Sequence, residues 1–267
     1  MTRLAVLGHP VSHSRSPAMQ SAALAALGLD GWTYEAIDVT PGDFESLVRG
    51  LPERGFAGVN VTVPHKEAAL ALADSASETA RAIGAANTLS FADGRIEAQN
   101  TDAPGLIDAL APAGELDGQA ALVMGAGGAG RAVVWALAGA GMDVTLWNRT
   151  AGKADSLAAE MAVSTVGGDP MIDPGDFHVI VNASAAGLGG GDGLADLPLD
   201  PGGFRAGQTV VDMVYGDGPG RLLEAASARG ASIVDGLEIL VCQGARSLEI
   251  WTGRKPDLDV MDRAARA

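Results

Sequence analysis

An apolar run, Ala120-Ala121-Leu122-Val123-Met124, feeds Gly125-Ala126-Gly127-Gly128-Ala129-Gly130, and a second run, Val144-Thr145-Leu146-Trp147, ends in Asn148-Arg149-Thr150. A strand-to-helix turn of this kind needs glycines so that backbone N–H groups can approach a pyrophosphate. The helix N-terminus behind the turn adds a dipole that favours an anion. Gly125, Gly127 and Gly130 hold the three fingerprint places, with Ala126, Gly128 and Ala129 between them. The end of the second strand commonly carries Asp or Glu to grip a ribose 2′-hydroxyl. Here it carries Asn148 and then Arg149, whose guanidinium suits a 2′-phosphate. The site therefore reads as one for NADP(H). Glycine clusters also occur in plain turns, but the context is the βαβ unit this motif requires: strand, glycine turn, apolar helix from Val133 to Ala138, Gly139 and Gly141, second strand.

Two further segments carry chemistry. Gly8-His9-Pro10-Val11-Ser12-His13-Ser14-Arg15-Ser16-Pro17 is a polar turn after an apolar strand. Ser14 and Ser16 alternate with Arg15, so both hydroxyls can face a carboxylate beside the helix that Pro17 opens; the plainer reading has Ser16 capping that helix. His9 and His13 have a spacing that raises a metal site, but Pro10 prevents a regular helix and no Cys or Glu joins them. No metal is expected. Lysine is scarce: only Lys66, Lys153 and Lys255 occur, the remaining side-chain cations being arginine. Lysine can release its proton near neutral pH when desolvated and arginine cannot. Lys66, directly after a β-rich run and Pro64-His65, suits proton transfer, with a solvated helix start as the alternative. Asp102 stands before a helix near Pro104 and could equally cap it.

The elements that must hold these residues alternate. Leu4–Leu7 reads as a strand, Ser16 to Leu27 as a helix stopped by Gly28, and Trp32 to Val39 as a strand. Thr40-Pro41 repeats the cap signature ahead of a helix through Leu51; Val59–Val63 is β-rich, and Pro64 opens a helix through Ala73. Asn87–Phe91 and Arg95–Gln99 flank Asp93-Gly94 as a hairpin. After the βαβ unit, Val179–Val181, Thr209–Val214 and Ile233–Val234 continue a parallel sheet, with a mobile loop expected at Gly189–Gly193. A long amphipathic helix, Leu237 to Trp251, comes last.

A formal charge of −15 argues against nucleic acid and anionic membranes as partners. An anionic ligand must then be held by local cations or oriented N–H groups. With Cys242 the only cysteine, no intrachain disulfide forms, and no apolar run approaches membrane-spanning length. The cytoplasm is the expected compartment. A small-molecule substrate is the expected partner, and a homodimer is compatible with a sequence that does not fix the oligomeric state.

Eight segments in register resemble the shikimate dehydrogenase family: Gly8 to Pro17, Asn60-Val-Thr-Val-Pro-His-Lys66, Gly84-Ala-Ala-Asn-Thr88, Asn100-Thr-Asp102, Gly125 to Gly130, Asn148-Arg-Thr150 with Lys153, Asp212-Met-Val-Tyr215 and Gln243-Gly-Ala245. The resemblance runs from residue 3 to about Gly253. It implies an α/β protein with a Rossmann-like, doubly wound NADP domain over 102–236. A smaller α/β substrate domain would cover 1–101 and be completed by 237–267, with the active site in the cleft between the two. It implies reversible, NADP-dependent reduction of 3-dehydroshikimate to shikimate, a step toward chorismate and the aromatic amino acids. On this resemblance Lys66 and Asp102 are the catalytic pair. Ser14 and Ser16 hold the substrate carboxylate, and Thr62, Asn87, Asp102, Tyr215 and Gln243 contact substrate hydroxyls. Asn148, Arg149, Thr150 and Lys153 hold the 2′-phosphate, and Met213 and Gly236 also line the cofactor. The chain departs from the family pattern at Gln20-Ser21, at Ser184, at Gly216-Asp217 after Tyr215, at Gly220, and at Ile239 and Leu248. The altered loop after Tyr215 keeps a quinate-type ring acid open as substrate, and a noncatalytic NADP-binding regulator is the reading from another class.

Overall fold

The computed structural model describes residues 1–166, 171–189, 191–216 and 218–267. The chain divides into two compact units, Met1–Gly105 with Leu240–Ala267, and Leu106–Ile239. These joins fall a few residues after the expected 101/102 and 236/237.

The first unit opens with β1 (Thr2–Gly8), α1 (Ser16–Ala26), β2 (Trp32–Asp38), α2 (Phe44–Gly50), β3 (Phe56–Val61) and α3 (Lys66–Leu72). It continues through β4 (Ser75–Ala76), α4 (Glu78–Ile83), β5 (Thr88–Ala92), β6 (Arg95–Gln99) and the start of α5 (Asp102–Ala109). Its six-stranded sheet has the order β2-β1-β3-β5-β6-β4. β1 is interior, parallel to both β2 and β3, and Leu4 to Leu7 are buried in succession, as a strand covered on both faces requires. β5 and β6 form the expected antiparallel hairpin. Its turn residues, Asp93 (φ 51°) and Gly94 (φ 73°), both take the left-handed conformation that matches strand twist in a two-residue loop. Phe44, Val48 and Leu51 pack with Leu7, Val59, Leu72, Leu89 and Ile96 in one buried cluster. Burying each such side chain is worth about 1.5–3 kcal/mol.

Three helix starts differ from expectation, α3 opening at Lys66 behind His65 rather than at Pro64. Ser16 is the first residue of α1, not its cap, and its N–H donates to Ser14 Oγ at 3.3 Å, because the turn closed by Ser14 N–H to Val11 O brings Ser14 to that place. α2 begins at Phe44 because Thr40 Oγ1 donates to Asp43 Oδ2 at 2.7 Å, spending residues 40–43 on a turn.

The second unit holds β7 (Ala120–Met124), α6 (Gly128–Gly139), β8 (Asp143–Trp147), α7 (Ala151–Met161), β9 (Ser164–Thr165), β10 (Val179–Asn182), β11 (Thr209–Asp212), α8 (Arg221–Ser227) and β12 (Ser232–Val234). Its sheet is parallel throughout, in the order β12-β11-β10-β7-β8-β9. The chain steps outward from β7 to β9, then returns to the other side of β7 at β10. That reversal is the switch point at which open α/β sheets bind ligands beyond their strand ends. β11 stops at Asp212, shorter than the expected Thr209–Val214. Within the glycine-rich loop of 189–193, Gly190 lies outside the described residues, as does Asp217 after Tyr215.

The last long helix, α9 (Gly236–Thr252), passes from the second unit into the first at Leu240. It is followed by α10 (Leu258–Arg266), absent from the elements expected above, which packs on α1 and buries Met261 and Ala265. Among the described residues no helix is long and apolar enough to cross a membrane.

Candidate active site

In the first unit the C-terminal ends of β1 and β3 lie side by side, with Leu7 opposite Val61. The serine turn leaves one strand there and Thr62 to Lys66 leaves the other. Because β5 runs antiparallel to β3, its beginning reaches the same edge, bringing Asn87, and β6 returns to that edge to deliver Asn100-Thr101-Asp102. Four segments remote in sequence thus meet at one sheet edge. A Cβ on Gly8 would stand 2.5 Å from Thr62 Cγ2, so glycine is what lets β1 exit beside β3.

Lys66 Nζ donates to Asp102 Oδ2 at 2.7 Å, the two side chains being 11% and 6% exposed. Asn87 Nδ2 donates to Asp102 Oδ1 at 2.9 Å and to Gln243 Oε1 at 3.1 Å. The capping role left open for Asp102 belongs instead to Asn100, whose Oδ1 accepts the Ala103 N–H at 3.2 Å. A buried ion pair adds little net stability, because desolvation offsets its attraction, so its retention here points to chemistry. His65 stacks on Phe44 with centroids 4.4 Å apart, and its Nε2–H donates to Val39 O at 2.8 Å. Burial lowers its pKa, which disfavours the imidazolium form. Ser14 is half-buried, Ser16 buried and Thr62 half-buried.

His9 does not join His13: its Nδ1 meets Asp38 Oδ1 at 2.7 Å, a hydrogen bond that holds the Asp38 carboxyl below its ordinary pKa. Asp38 Oδ2 also accepts the Val11 N–H at 3.1 Å, fastening the serine turn to the end of β2. Among the described residues no group of three or more His, Cys, Asp or Glu is placed to hold a metal.

Behind the pair lies a buried polar network that sequence reading did not single out. Ser247 Oγ, on α9, accepts from Asn60 Nδ2 at 2.9 Å and lies 2.9 Å from Thr88 Oγ1 and 3.1 Å from Thr101 Oγ1. Tyr34 Oη donates to Asn60 Oδ1 at 2.7 Å. The available signal was Gln243 and Ser247 four residues apart on an otherwise apolar helix face.

In the second unit the glycine turn is built for close approach. Gly125 has φ 121°, and a Cβ there would stand 2.7 Å from Ala183 O, while one on Gly130 would strike Gly125 O. Gly127 caps α6 without a side-chain hydrogen bond, and a Cβ on it would meet nothing within 4 Å. The first turn of α6 thus has no side-chain cap, and the space beside Gly127 is open. Asn148 ties the parts together: its Oδ1 accepts the Ala126 N–H at 3.1 Å and its Nδ2 donates to Thr150 O at 2.9 Å. Arg149, Thr150 and Lys153 are exposed, with no side-chain hydrogen bond or ion pair among the described residues. A Cβ on Gly236 would stand 2.8 Å from Met213 O. Tyr215 is half-buried on the chain leaving β11, in the second unit, whereas the other expected substrate residues are in the first.

Asp212 is buried at the end of β11, and desolvation, opposed by hydrogen bonds from Val214 N–H and Asn182 Nδ2, pushes its carboxyl up to about 6. A folded-state pKa above the unfolded one gives stability that is complete below about pH 4 and is lost as pH rises through 6, by about 3 kcal/mol at most. Thermal melts from pH 4 to 8 are expected to show the parental protein losing ground to Asp212→Asn across that window. Parallel curves would refute the assignment.

Three family models match the chain: Shikimate dehydrogenase substrate binding domain over residues 6–89, Shikimate / quinate 5-dehydrogenase over 108–173, and Shikimate 5'-dehydrogenase C-terminal domain over 236–266. Shikimate dehydrogenase (NADP(+)) of Thermus thermophilus is 46% identical over 268 residues, spanning 100% of this chain and 98% of that protein. The chain belongs to the shikimate dehydrogenase family. The shikimate dehydrogenase (NADP(+)) of Methanocella arvoryzae is 44% identical over 273 residues, covering 100% of this chain and 98% of that one. A crystal structure of shikimate 5-dehydrogenase from Thermus thermophilus in complex with NADP(H) and shikimate superposes with a TM-score of 0.90 at 44% identity, covering 100% and 99% of the two chains. The mixed α/β, two-unit architecture is thus that of shikimate dehydrogenases.

Proposed function

We propose that the protein catalyses the reversible, NADP-dependent reduction of 3-dehydroshikimate to shikimate in the cytoplasm, the first unit serving as substrate domain and the second as NADP domain. The observation that carries this reading is the buried Lys66–Asp102 pair at 2.7 Å with Asn87 and Gln243 gathered on it, in a chain of this family. Ser14 and Ser16, at the start of α1, offer hydroxyls to the ring carboxylate, and the helix dipole favours that anion in an otherwise acidic protein. Thr62, Asn87, Asp102, Gln243 and Tyr215 are assigned to ring hydroxyls.

The second unit fits NADP(H): N–H groups at α6 without a side-chain cap suit a pyrophosphate, and Arg149, exposed and unpaired among the described residues, suits a 2′-phosphate, with Thr150 and Lys153 beside it. Asn148 supports that loop, and Met213 and Gly236 are assigned to the cofactor. NADPH, when bound, supplies a hydride to the carbonyl carbon. Lys66, as an ammonium, gives its proton to the C3 oxygen and takes it back in the reverse direction, while Asp102 holds the lysine and the substrate in register.

Initial rates with shikimate and quinate, each with NADP and with NAD, test the reading. Shikimate with NADP should be fastest, and a clear preference for quinate would overturn it. Ser14→Ala should weaken shikimate binding by roughly tenfold, the size of one lost hydrogen bond to a charged group, and leave NADP binding unchanged. If calorimetry on the folded variant gives the parental shikimate affinity, the serines return to shaping the helix start.

A further inference from the structure

Asp212 is 5% exposed at the end of β11, and among the described residues no charged group is one of its hydrogen-bond partners. Its Oδ1 accepts from Asn182 Nδ2 at 2.9 Å and from the Val214 N–H at 3.1 Å. Asn182, at the end of the neighbouring strand β10, extends the chain of bonds: its Oδ1 accepts from Ser184 Oγ at 2.7 Å and from Ser184 N–H at 3.1 Å. Ser184 Oγ in turn accepts the Ala186 N–H at 3.1 Å. One carboxylate oxygen therefore ties together the two segments that leave β10 and β11. The first packs against the glycine turn, where a Cβ on Gly125 would stand 2.7 Å from Ala183 O. The second packs against Gly236, where a Cβ would stand 2.8 Å from Met213 O.

The direction of strand succession reverses between β7 and β10. A dinucleotide bound across that switch point spreads over the strand ends on both sides. Arg149, at the end of β8, claims the adenosine half for the β7–β8 side, which leaves the ends of β10 and β11 to the nicotinamide half. We infer that Asp212 is a positioning residue for the nicotinamide: by locking residues 182–186 and 213–214 to each other, it sets the floor on which that ring rests. Aspartate suits the task because a single carboxylate oxygen takes two N–H groups at once and binds both more strongly than a neutral acceptor. The inference rests on the reading of this unit as an NADP domain.

The test uses Asp212→Ala, Asp212→Asn and Ser184→Ala in the full-length protein. Three quantities are read: kcat with shikimate, the dissociation constant of NADPH from its nicotinamide fluorescence, and that of adenosine 2′,5′-bisphosphate by calorimetry. Asp212→Ala should lower kcat at least tenfold and weaken NADPH severalfold, while the adenosine bisphosphate, which lacks the nicotinamide half, binds within twofold of parental. Asp212→Asn should recover most of the loss because its amide oxygen still accepts both N–H groups. Ser184→Ala should show the same split at smaller size, and with Asp212→Asn it decides the matter if Asp212→Ala does not fold. A kcat within twofold of parental in Ser184→Ala and in any folded Asp212→Ala overturns the inference. So does an equal loss of adenosine bisphosphate and NADPH binding. Failure of the parental protein to bind NADPH would sink the reading of the unit, an outcome recognisable before any variant is compared.

Discussion

Lys66→Ala is expected to lower kcat by roughly 10²- to 10⁴-fold, with little change in the dissociation constants of shikimate or NADP, because proton donation to the forming alkoxide is an interaction of the transition state. Removing the lysine also leaves the Asp102 carboxylate buried, with Asn87 at 2.9 Å as its remaining side-chain partner among the described residues. A thermal melt must therefore accompany the kinetics, and a folded variant is one that still binds shikimate in the first unit. Lys66→Arg separates charge from proton supply. A guanidinium keeps the positive charge near Asp102 but does not release its proton near neutral pH, so turnover should stay close to that of the alanine variant. A folded Lys66→Arg enzyme running near the parental rate would remove Lys66 from the chemistry.

Arg149→Ala should raise the Michaelis constant for NADP at least tenfold, on the order of 1.5 kcal/mol for one charge-assisted contact, and leave that for NAD nearly unchanged. Asn148 is occupied in tying the glycine turn to Thr150, so its amide is committed to the protein, whereas the Arg149 side chain is exposed and uncommitted among the described residues. Arginine also binds phosphate bidentately, which a point charge such as Lys153 cannot do. Equal losses with the two cofactors would transfer the 2′-phosphate to other groups.

Local chemistry was legible where it is decided locally. Asp93-Gly94 announced its hairpin, and the glycine turn announced its βαβ unit, because in both the backbone demands residues that few positions tolerate. Helix starts misled where side chains compete: Ser16 and Thr40 both look like caps, yet Ser14 and Asp43 hold the hydrogen bonds that set the helices. α10 stayed hidden because its buried face is only Met261 and Ala265 on a charged segment, and β9 because two residues carry no period. The joining of Lys66 to Asp102, 36 residues apart, was beyond local pattern and came only through resemblance. It follows from sheet order, since the β5–β6 hairpin must return to the edge where β3 ends. Ser247 is not legible in the sequence, because a hydroxyl on an apolar helix face looks like a fault until its partners on β3, β5 and the β6 exit are known.

The helix that supplies Gln243 and Ser247 enters the first unit from the far end of the chain. A ribosome releases the first 105 residues, with Asn60, Asn87, Thr88 and Thr101 among them, long before that helix exists. Until α9 arrives these polar groups have water in place of their Ser247 and Gln243 partners, and α1 lacks the cover of α10. The second unit, continuous in sequence, has all its strands before then. Nascent chains should therefore acquire protease resistance first in the middle of the sequence and only last at the N-terminus, reversing the usual order of synthesis and folding.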